Sequence, residues 1–395
     1  MRHFAQLERS DPEGHAAFFR TPPEDVTRAS DQDLRAVALG ATLYTPGIRP
    51  DLVRDVLRQR DLGAASIVLC LEDSVADTDL PRAEDNVDAA LRELAASGAD
   101  AVAALPQLFL RVRDAEHLAR FAGRLGPAAL DALSGIVLPK FEASDGRGAR
   151  WFEVLDGLNV DRGDDRRLLV MPILESPSIM HRESRVGALA AIRGLLLARR
   201  RDVLAVRIGA TDLSSVYGLR RPSHLTVYDV QMLASVIGDV VNVLGRARDG
   251  FVVSGPVWEH YPGSDRVFRT QLRSTPFEQA GDPGLRRELL LEGFDGLLRE
   301  VTLDRANGLT GKTVIHPRHV PLVHAMSVVT DEEFSDASDV LANTAGGAAA
   351  SRYGNKMNEM KPHHEWATRT LLRARAFGVA APDVTFVDLL ERSLP

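Results

Sequence analysis

Two acidic residues stand where apolar runs of the sequence end. Glu175 follows the apolar run of "PILESP", and Asp212 lies shortly after a second apolar run, in "IGATDLS". A carboxylate at the tip of a buried strand is costly unless a cation compensates it. Neighbouring strands lie about 4.8 Å apart, so two acids on consecutive strands can share one ion. Because Mg²⁺ prefers oxygen ligands and takes one or two carboxylates, we predict a magnesium site, with Mn²⁺ as the second candidate.

Basic residues follow other apolar runs. Arg111 lies in "LFLRVRD" and Lys140 ends "GIVLPK". Both can bind a substrate carboxylate or phosphate, while the metal acts as a Lewis acid on a developing enolate oxygen. The alternative is that the two acids cap helices, since "ESPS" and "TDLSS" resemble helix starts.

Other polar or small residues fall at the same strand ends or beside Asp212. Because the carboxyl ends of barrel strands converge on one pocket, we expect these residues to line it. The predicted substrate-binding residues are Thr45, Gly47, Arg49, Arg111, Arg113, Gly209, Ala210 and Thr211.

The elements that must position these residues alternate between short apolar runs and longer segments with helical spacing. The apolar runs cover residues 36–44, 65–71, 107–112, 135–140, 167–174, 203–209, 250–255 and 311–317. Strands that alternate with helices pair in parallel, and eight such units predict an α/β fold of the (β/α)8 TIM-barrel type. A doubly wound sheet is the alternative, but its usual Gly-rich turn after the first strand is absent.

We predict three regions in the chain. Residues 1–36 form an N-terminal extension, residues 37–327 form the catalytic barrel, and residues 328–395 form a helical lid or oligomerisation segment. The barrel carries an insertion at 256–287, which follows a strand end and serves either the active site or a subunit contact.

Composition excludes several classes of protein. The chain has 395 residues, 45% of them hydrophobic, and a net charge of −7, so no basic surface for nucleic acid is indicated. We find no run of 18 apolar residues for a membrane span and no apolar core of a secretory signal. We therefore expect a cytoplasmic protein with a small-molecule substrate.

Seven motifs in order resemble the HpcH/HpaI aldolase and citrate lyase β-subunit superfamily, in particular a divergent subgroup of TIM-barrel C–C bond lyases encoded beside tellurite-resistance and stress genes. The motifs are "LYTPGIRP", "IVLCLEDSV", "LFLRVRD", "GIVLPKFE", "MPILESP", "IGATDLS" and "GKTVIHPRHV". The resemblance implies a Mg²⁺-dependent carbon–carbon lyase or aldolase that assembles as a homotrimer or hexamer. Its implied substrate is a ketoacid, a hydroxy acid or an acyl-CoA.

The resemblance also implies roles for individual residues. Glu175 and Asp212 match the metal ligands, and Arg111 matches the arginine that holds the substrate carboxylate or enolate oxygen. In the family a C-terminal segment delivers an acid to the neighbouring subunit's site, and "GNKMNEM" is similar to that segment. The implied catalytic residues are Arg111, Glu72, Asp73, Lys140 and Glu359.

Two departures from the family motifs bear on which substrate the protein binds. Ile48 replaces a polar residue, and Arg113 replaces an asparagine, which favours a more anionic substrate. The leading hypothesis is a lyase acting on a β-hydroxy acid or acyl-CoA. The alternatives are a ketoacid- or phosphoenolpyruvate-dependent condensing enzyme and a non-catalytic barrel scaffold.

Overall fold

The computed structural model describes residues 1–261, 294–344 and 346–393. The strands in these residues are β1 (Phe19–Thr21), β2 (Ala41–Pro46), β3 (Ser66–Cys70), β4 (Gln107–Arg111), β5 (Gly135–Leu138), β6 (Leu169–Leu174), β7 (Val206–Ile208), β8 (Val253–Ser254), β9 (Lys312–Val314), β10 (Ala348–Ala350), β11 (Met357–Glu359) and β12 (Val379–Ala380). Strands β2–β9 form one parallel sheet in the order β8-β7-β6-β5-β4-β3-β2-β9.

The sheet closes between its two edge strands. A parallel bridge joins Gly255 to Lys312. Gly255 N donates to Gly311 O at 3.1 Å, and Thr313 N donates to Gly255 O at 3.0 Å. An open doubly wound sheet has no such contact, so the TIM-barrel prediction is confirmed.

The strands are covered on both faces, as their unbroken apolar runs predict. Val68, Phe109, Val137 and Met171 belong to one buried cluster inside the barrel. The alternate positions of the same strands pack against the surrounding helices. Those helices are Leu52–Asp61, Leu80–Ala96, Ala115–Asp131, Arg147–Asn159, Arg182–Ala198, Gln231–Leu244, Asp295–Ala306 and His319–Ser327.

The first predicted strand, residues 36–44, is corrected at its start. Residues 36 and 37 end the helix Gln32–Val37, and β2 begins only at Ala41. Gly40 separates the two elements with a φ of 53°, a conformation that favours glycine. The apolar run is therefore two elements, because buried helix and strand residues look alike over so short a distance.

The region after the barrel is helical, as predicted. The helices Asp331–Ala342 and Met360–Phe377 pack together, and the hairpin β10–β11 lies between them in the chain. The second of these helices lies at the amino-terminal end of the barrel, where Arg369 donates to Gly245 O at 2.7 Å.

The N-terminal extension packs on this C-terminal region. Strand β1 pairs with β12, and Phe4 and Phe19 join Phe377 in a shared apolar cluster. Of the predicted insertion, residues 262–287 lie outside the described residues. Within the described ranges, we find no helix that is both long and apolar enough to cross a bilayer.

Candidate active site

Six charged residues meet at the carboxyl end of the barrel, and we call them the site cluster. They come from the ends of four consecutive strands and from the short helix that follows β7. The site cluster consists of Glu72, Asp73, Arg111, Lys140, Glu175 and Asp212. The structure therefore brings together both predicted metal ligands and four of the five predicted catalytic residues.

Arg111 lies at the centre of the site cluster. It is the last residue of β4, and only 8% of it is exposed. Its Nη2 lies 2.7 Å from Glu72 and 3.4 Å from Glu175. Burial by itself lowers the pKa of Arg111, but the surrounding Tyr44, Cys70 and carboxylates outweigh it and raise the pKa. The guanidinium therefore stays charged and is held by three acids, the third being Asp73.

Lys140 connects the two predicted metal ligands. Its φ is 48°, a left-handed conformation that is uncommon outside glycine. This turn lets its backbone N donate to Glu175 Oε1 at 2.9 Å, while its Nζ lies 3.8 Å from Asp212. The same ammonium group donates to Glu72. Burial lowers the pKa of Lys140, but the hydrogen bond to Glu72 and the nearby acids outweigh it and raise the pKa.

Glu175 is a buried acid whose negative charge is only partly compensated by neighbouring cations. It is 4% exposed. Its pKa is raised to about 7, chiefly by burial and in part by Asp212, although Arg111 acts in the opposite direction. Gly209, directly after β7, leaves space for the Glu175 carboxylate, because a Cβ at this position would lie 2.0 Å from Glu175 Oε2. An additional cation beside Glu175 and Asp212 would remove this electrostatic penalty.

The donor set fits Mg²⁺. The site cluster holds four acids and two cations, so it has room for further positive charge. In the described part of the chain, no group of three or more His, Cys, Asp or Glu side chains is placed to hold a metal. A metal here would take protein ligands from Glu175 and Asp212, with water or substrate completing the shell, which is a common arrangement for Mg²⁺.

Neither acid caps a helix through a side-chain hydrogen bond, but Asp212 does lie in a first helical turn, where the helix dipole favours an acid. Glu175 precedes the helix Pro177–Met180, whose first residues receive no side-chain cap hydrogen bond. Asp212 does not end β7, as the sequence suggested, but lies in the first turn of the helix Ala210–Ser215, which also lacks a side-chain cap. The helix begins directly after β7 because Gly209 ends the strand.

Glu72 and Asp73 form a pair beneath the two cations. Asp73 N donates to Glu72 Oε2 at 2.7 Å. Burial raises the pKa of Glu72 despite Arg111 and Lys140. Burial also acts to raise the pKa of Asp73, but Glu72, Arg111 and Lys140 together lower it. Both carboxylates contact Arg111 and Lys140, so the pair anchors both cations.

Several predicted substrate-binding residues have other partners. Arg113 donates to Leu71 O at 3.3 Å, to Val75 O at 3.1 Å and to Asp77, so it clamps the loop after β3. Arg49 forms an exposed pair with Asp55. Their role in binding stays a prediction.

The remaining predicted binding residues lie at the end of β2, beside β3, or on the helix that carries Asp212. Gly47 N donates to Cys70 O at 2.8 Å, which joins the end of β2 to the end of β3. Thr45 is buried in β2. Ala210 starts the helix that carries Asp212, and Thr211 donates to Glu259 at 2.5 Å. Glu259 follows β8 and was not predicted.

Glu359 is not brought to the site cluster of its own chain. It ends β11 and is exposed, and its backbone N donates to His363 Nδ1 at 3.1 Å. The helix that follows it packs at the opposite end of the barrel. Any contribution of Glu359 to catalysis would therefore serve the site of another subunit.

Two residues inside the barrel were missed. Tyr44 lies in β2 and Arg207 in β7, and the Arg207 Cζ lies 5.5 Å from the centre of the Tyr44 ring. An arginine within the apolar run "VLAVRIG" was the signal available in the sequence.

The comparisons with known proteins agree with this architecture. The family model for C–C bond lyases of the TIM-barrel fold matches residues 33–379. A citrate lyase structure from Burkholderia xenovorans LB400 has a TM-score of 0.60 at 17% identity, covering 92% of this chain and 96% of that chain. The CitE protein of Mycobacterium tuberculosis, solved with magnesium, acetoacetate and coenzyme A, has a TM-score of 0.51 at 20% identity, covering 86% of this chain and 99% of that chain. No curated protein matches this chain significantly.

Proposed function

Because the chain belongs to the family of C–C bond lyases of the TIM-barrel fold, we propose that it is a Mg²⁺-dependent lyase that cleaves a β-hydroxy acid or its CoA thioester through an enolate. The observation that carries this proposal is the buried Glu175, whose raised pKa of about 7 and acidic neighbour Asp212 create a place for a divalent cation beside Arg111.

The metal has two proposed ligands, Glu175 and Asp212. When bound, Mg²⁺ supplies Lewis acidity toward an oxygen on which negative charge develops. The magnesium in the CitE complex makes this ion the first to test. Lys140 supports the ligands, because its backbone N fixes Glu175 and its ammonium faces Asp212.

Arg111 is the proposed contact for the substrate carboxylate or the enolate oxygen. Its guanidinium is pre-positioned by Glu72 and Asp73, so little reorganisation is needed when negative charge develops in the substrate. Lys140, whose side chain is 48% exposed, offers a second cation at the pocket mouth. Two cations at one mouth suit a substrate with at least one carboxylate.

Proton transfer completes the proposed reaction. Cleavage needs a base for the substrate hydroxyl and an acid for the enolate carbon. We propose that Glu359 acts as the base from a neighbouring subunit, in a homotrimer or hexamer. The exposure of Glu359 and its position away from its own site cluster support delivery between subunits.

A condensing enzyme is the second candidate. The reverse reaction joins an enolate to a carbonyl and uses the same residues, so the site cluster fits both directions equally. Product analysis with ketoacids and with CoA thioesters separates these possibilities.

The proposal is tested by Mg²⁺ titration calorimetry on the wild type and on Asp212→Ala, with and without pyruvate or oxaloacetate. We expect binding that the ketoacid strengthens and that the variant loses by about a hundredfold or more. Asp156→Ala, which removes an exposed acid paired with Arg199, is the matched control and should bind normally. Absence of Mg²⁺ binding in every form would overturn the proposal and leave a non-catalytic barrel scaffold.

A further inference from the structure

Arg207 is a buried cation without an acidic partner. It lies in β7, is 1% exposed, and donates to Thr42 Oγ1 at 3.1 Å and to Thr313 Oγ1. Its Nε has no hydrogen-bond partner. Among the residues that the structure describes, no carboxylate forms an ion pair with it. The two threonine hydroxyls accept hydrogen bonds from the guanidinium group, but they do not neutralise its positive charge.

Such a charge is costly to keep inside a barrel. The penalty for burying an ion is several kcal/mol, and hydroxyl groups recover only part of it. Burial accordingly lowers the pKa of Arg207, and the nearby Tyr44 phenol is the main group that acts in the opposite direction. An anion that forms beside this buried cation during the reaction would be stabilised by it.

Tyr44 is the group beside Arg207 that can become an anion. Two guanidinium groups lie over its ring, with Arg207 Cζ at 5.5 Å and Arg111 Cζ at 5.9 Å from the ring centre. Tyr44 is only partly buried, whereas Arg207 lies deeper. Tyr44 therefore contacts both the buried Arg207 and the arginine that we assign to the substrate.

The resting state of Tyr44 is the neutral phenol. Burial raises the pKa of Tyr44, while Arg207 and Arg111 act to lower it. A neutral phenol carries a proton to donate, and two adjacent cations stabilise the phenolate that remains after donation.

Resting on the proposed function, we propose that Tyr44 is the general acid that protonates the enolate carbon, and that Arg207 is a positioning residue that balances the resulting phenolate. When the C–C bond breaks, its electron pair remains with the enolate. The enolate carbon then takes the Tyr44 hydroxyl proton, which forms a C–H bond and leaves the phenolate. Water returns a proton to Tyr44, and the proton released from the substrate hydroxyl balances the exchange.

The competing explanation is that the Tyr44 ring merely supports Arg111. Tyr44→Phe separates the two, because it keeps the ring and removes only the hydroxyl. A supporting ring predicts normal turnover in this variant, whereas an acid predicts a loss in kcat with little change in KM.

The experiment follows deuterium incorporation into the methyl group of pyruvate, or of acetyl-CoA, by NMR in D₂O with Mg²⁺. In this exchange the Tyr44 phenolate takes a methyl proton to form the enolate, and the phenol returns a deuteron after exchange with D₂O, so no second substrate is needed. We expect Tyr44→Phe to lose about 100-fold or more in exchange rate, while calorimetry shows Mg²⁺ and pyruvate binding within about twofold of the wild type. Arg207→Met should lose roughly tenfold, about 1.4 kcal/mol.

The matched control is Tyr228→Phe. Tyr228 is a partly buried tyrosine outside the barrel interior, hydrogen-bonded to Asp304 at 2.9 Å, and its substitution should leave the exchange rate unchanged. Asp212→Asn should lose exchange together with Mg²⁺ binding, a pattern that Tyr44→Phe should not share.

The outcomes separate the two proposals. A wild type that binds Mg²⁺ but exchanges neither probe overturns the proposed function and this inference with it. Exchange in the wild type that persists in Tyr44→Phe overturns this inference alone. If Tyr44→Phe does not fold, Arg207→Met decides, since replacing a buried ion by an apolar side chain is often tolerated. Unchanged exchange in that variant overturns this inference, because the proposed phenolate would then form without its balancing cation.

Discussion

Two networks of charged residues differ in their place, one at the carboxyl end of the barrel and one outside its wall. The site cluster faces the barrel mouth. The outer network lies between β9 and the helix Asp295–Ala306, and it consists of Arg221, Tyr228, Glu300, Asp304 and Lys312. In the outer network, Lys312 Nζ lies 2.9 Å from Glu300 and 2.6 Å from Asp304, and Arg221 pairs with Glu300.

The two networks differ in charge balance. The outer network matches two cations to two acids, and Lys312 is fully buried. The site cluster has four acids for two cations, and three of its side chains remain partly exposed. A network in which every charge is paired with an opposite charge stabilises the fold. A network with an excess of negative charge can bind a cation or a cationic ligand.

The raised pKa of a single acid does not distinguish the site cluster from the outer network. Burial raises the pKa of Asp304 to about 6, although Lys312 opposes it, and burial raises the pKa of Glu175 to about 7. Both acids are buried and each has a second acid as neighbour, Glu300 beside Asp304 and Asp212 beside Glu175, but of these two neighbours only Asp212 is partly exposed. The balance of the whole cluster therefore identifies the functional site better than the shift of one group.

The largest effect on stability should come from breaking the outer network. Lys312→Met leaves Glu300 and Asp304 buried without their shared cation, and we expect the free energy of unfolding to fall by about 3–5 kcal/mol. Urea denaturation measures this loss. Lys361→Met, at an exposed position, is the control. A loss below about 1 kcal/mol in the Lys312 variant would contradict a structural role for the network.

Gly209→Ala should damage the site cluster without removing a charged group. Its Cβ would overlap Glu175 Oε2, so we expect Mg²⁺ affinity to fall by about tenfold to a hundredfold, or about 1.4–2.8 kcal/mol. Calorimetry measures the affinity. Gly187→Ala is matched to it, since a Cβ there meets nothing within 4 Å. Equal affinities in the two variants would show that Glu175 does not hold the metal.

The pH dependence of stability should respond to Mg²⁺. The pKa of Glu175 is raised in the folded state, so the folded protein holds its proton more tightly than the unfolded chain, and stability falls as pH rises from about 4.5 to 7. We expect Mg²⁺ to recover about 1–2 kcal/mol of this loss near pH 8, because it favours the ionised carboxylate. Urea melts at pH 5 and pH 8, with and without Mg²⁺, measure the difference.

The control for this pH effect is Glu175→Gln, which should lose the Mg²⁺-dependent part. The contribution of Asp304 should remain in the variant, because Asp304 lies in the outer network. An equal Mg²⁺ effect in both proteins would place the metal away from Glu175.

The smallest effect should follow Arg49→Ala. Its exposed pair with Asp55 is worth less than about 0.5 kcal/mol, and its guanidinium lies outside the site cluster. We expect KM to change by less than about twofold. An increase of tenfold would show that Arg49 turns toward the substrate, as its place in "PGIRP" suggested.

Much of the barrel and of the site cluster could be predicted from the sequence. Unbroken apolar runs marked all eight strands, and the acids and cations that follow them, such as Glu175 and Arg111, do meet at one end. These predictions succeed because strand burial and strand direction are local properties, and because parallel strands present their carboxyl ends together.

Only the tertiary structure decided where individual side chains point. Arg113 follows a barrel strand as Lys140 does, yet its donors go to the loop after β3. Tyr44 and Arg207 are 163 positions apart and meet only because the barrel brings β2 and β7 around a common interior. Residue type and spacing thus determined which groups could do chemistry, whereas closure of the barrel determined which of them share one low-dielectric interior and so change each other's charge.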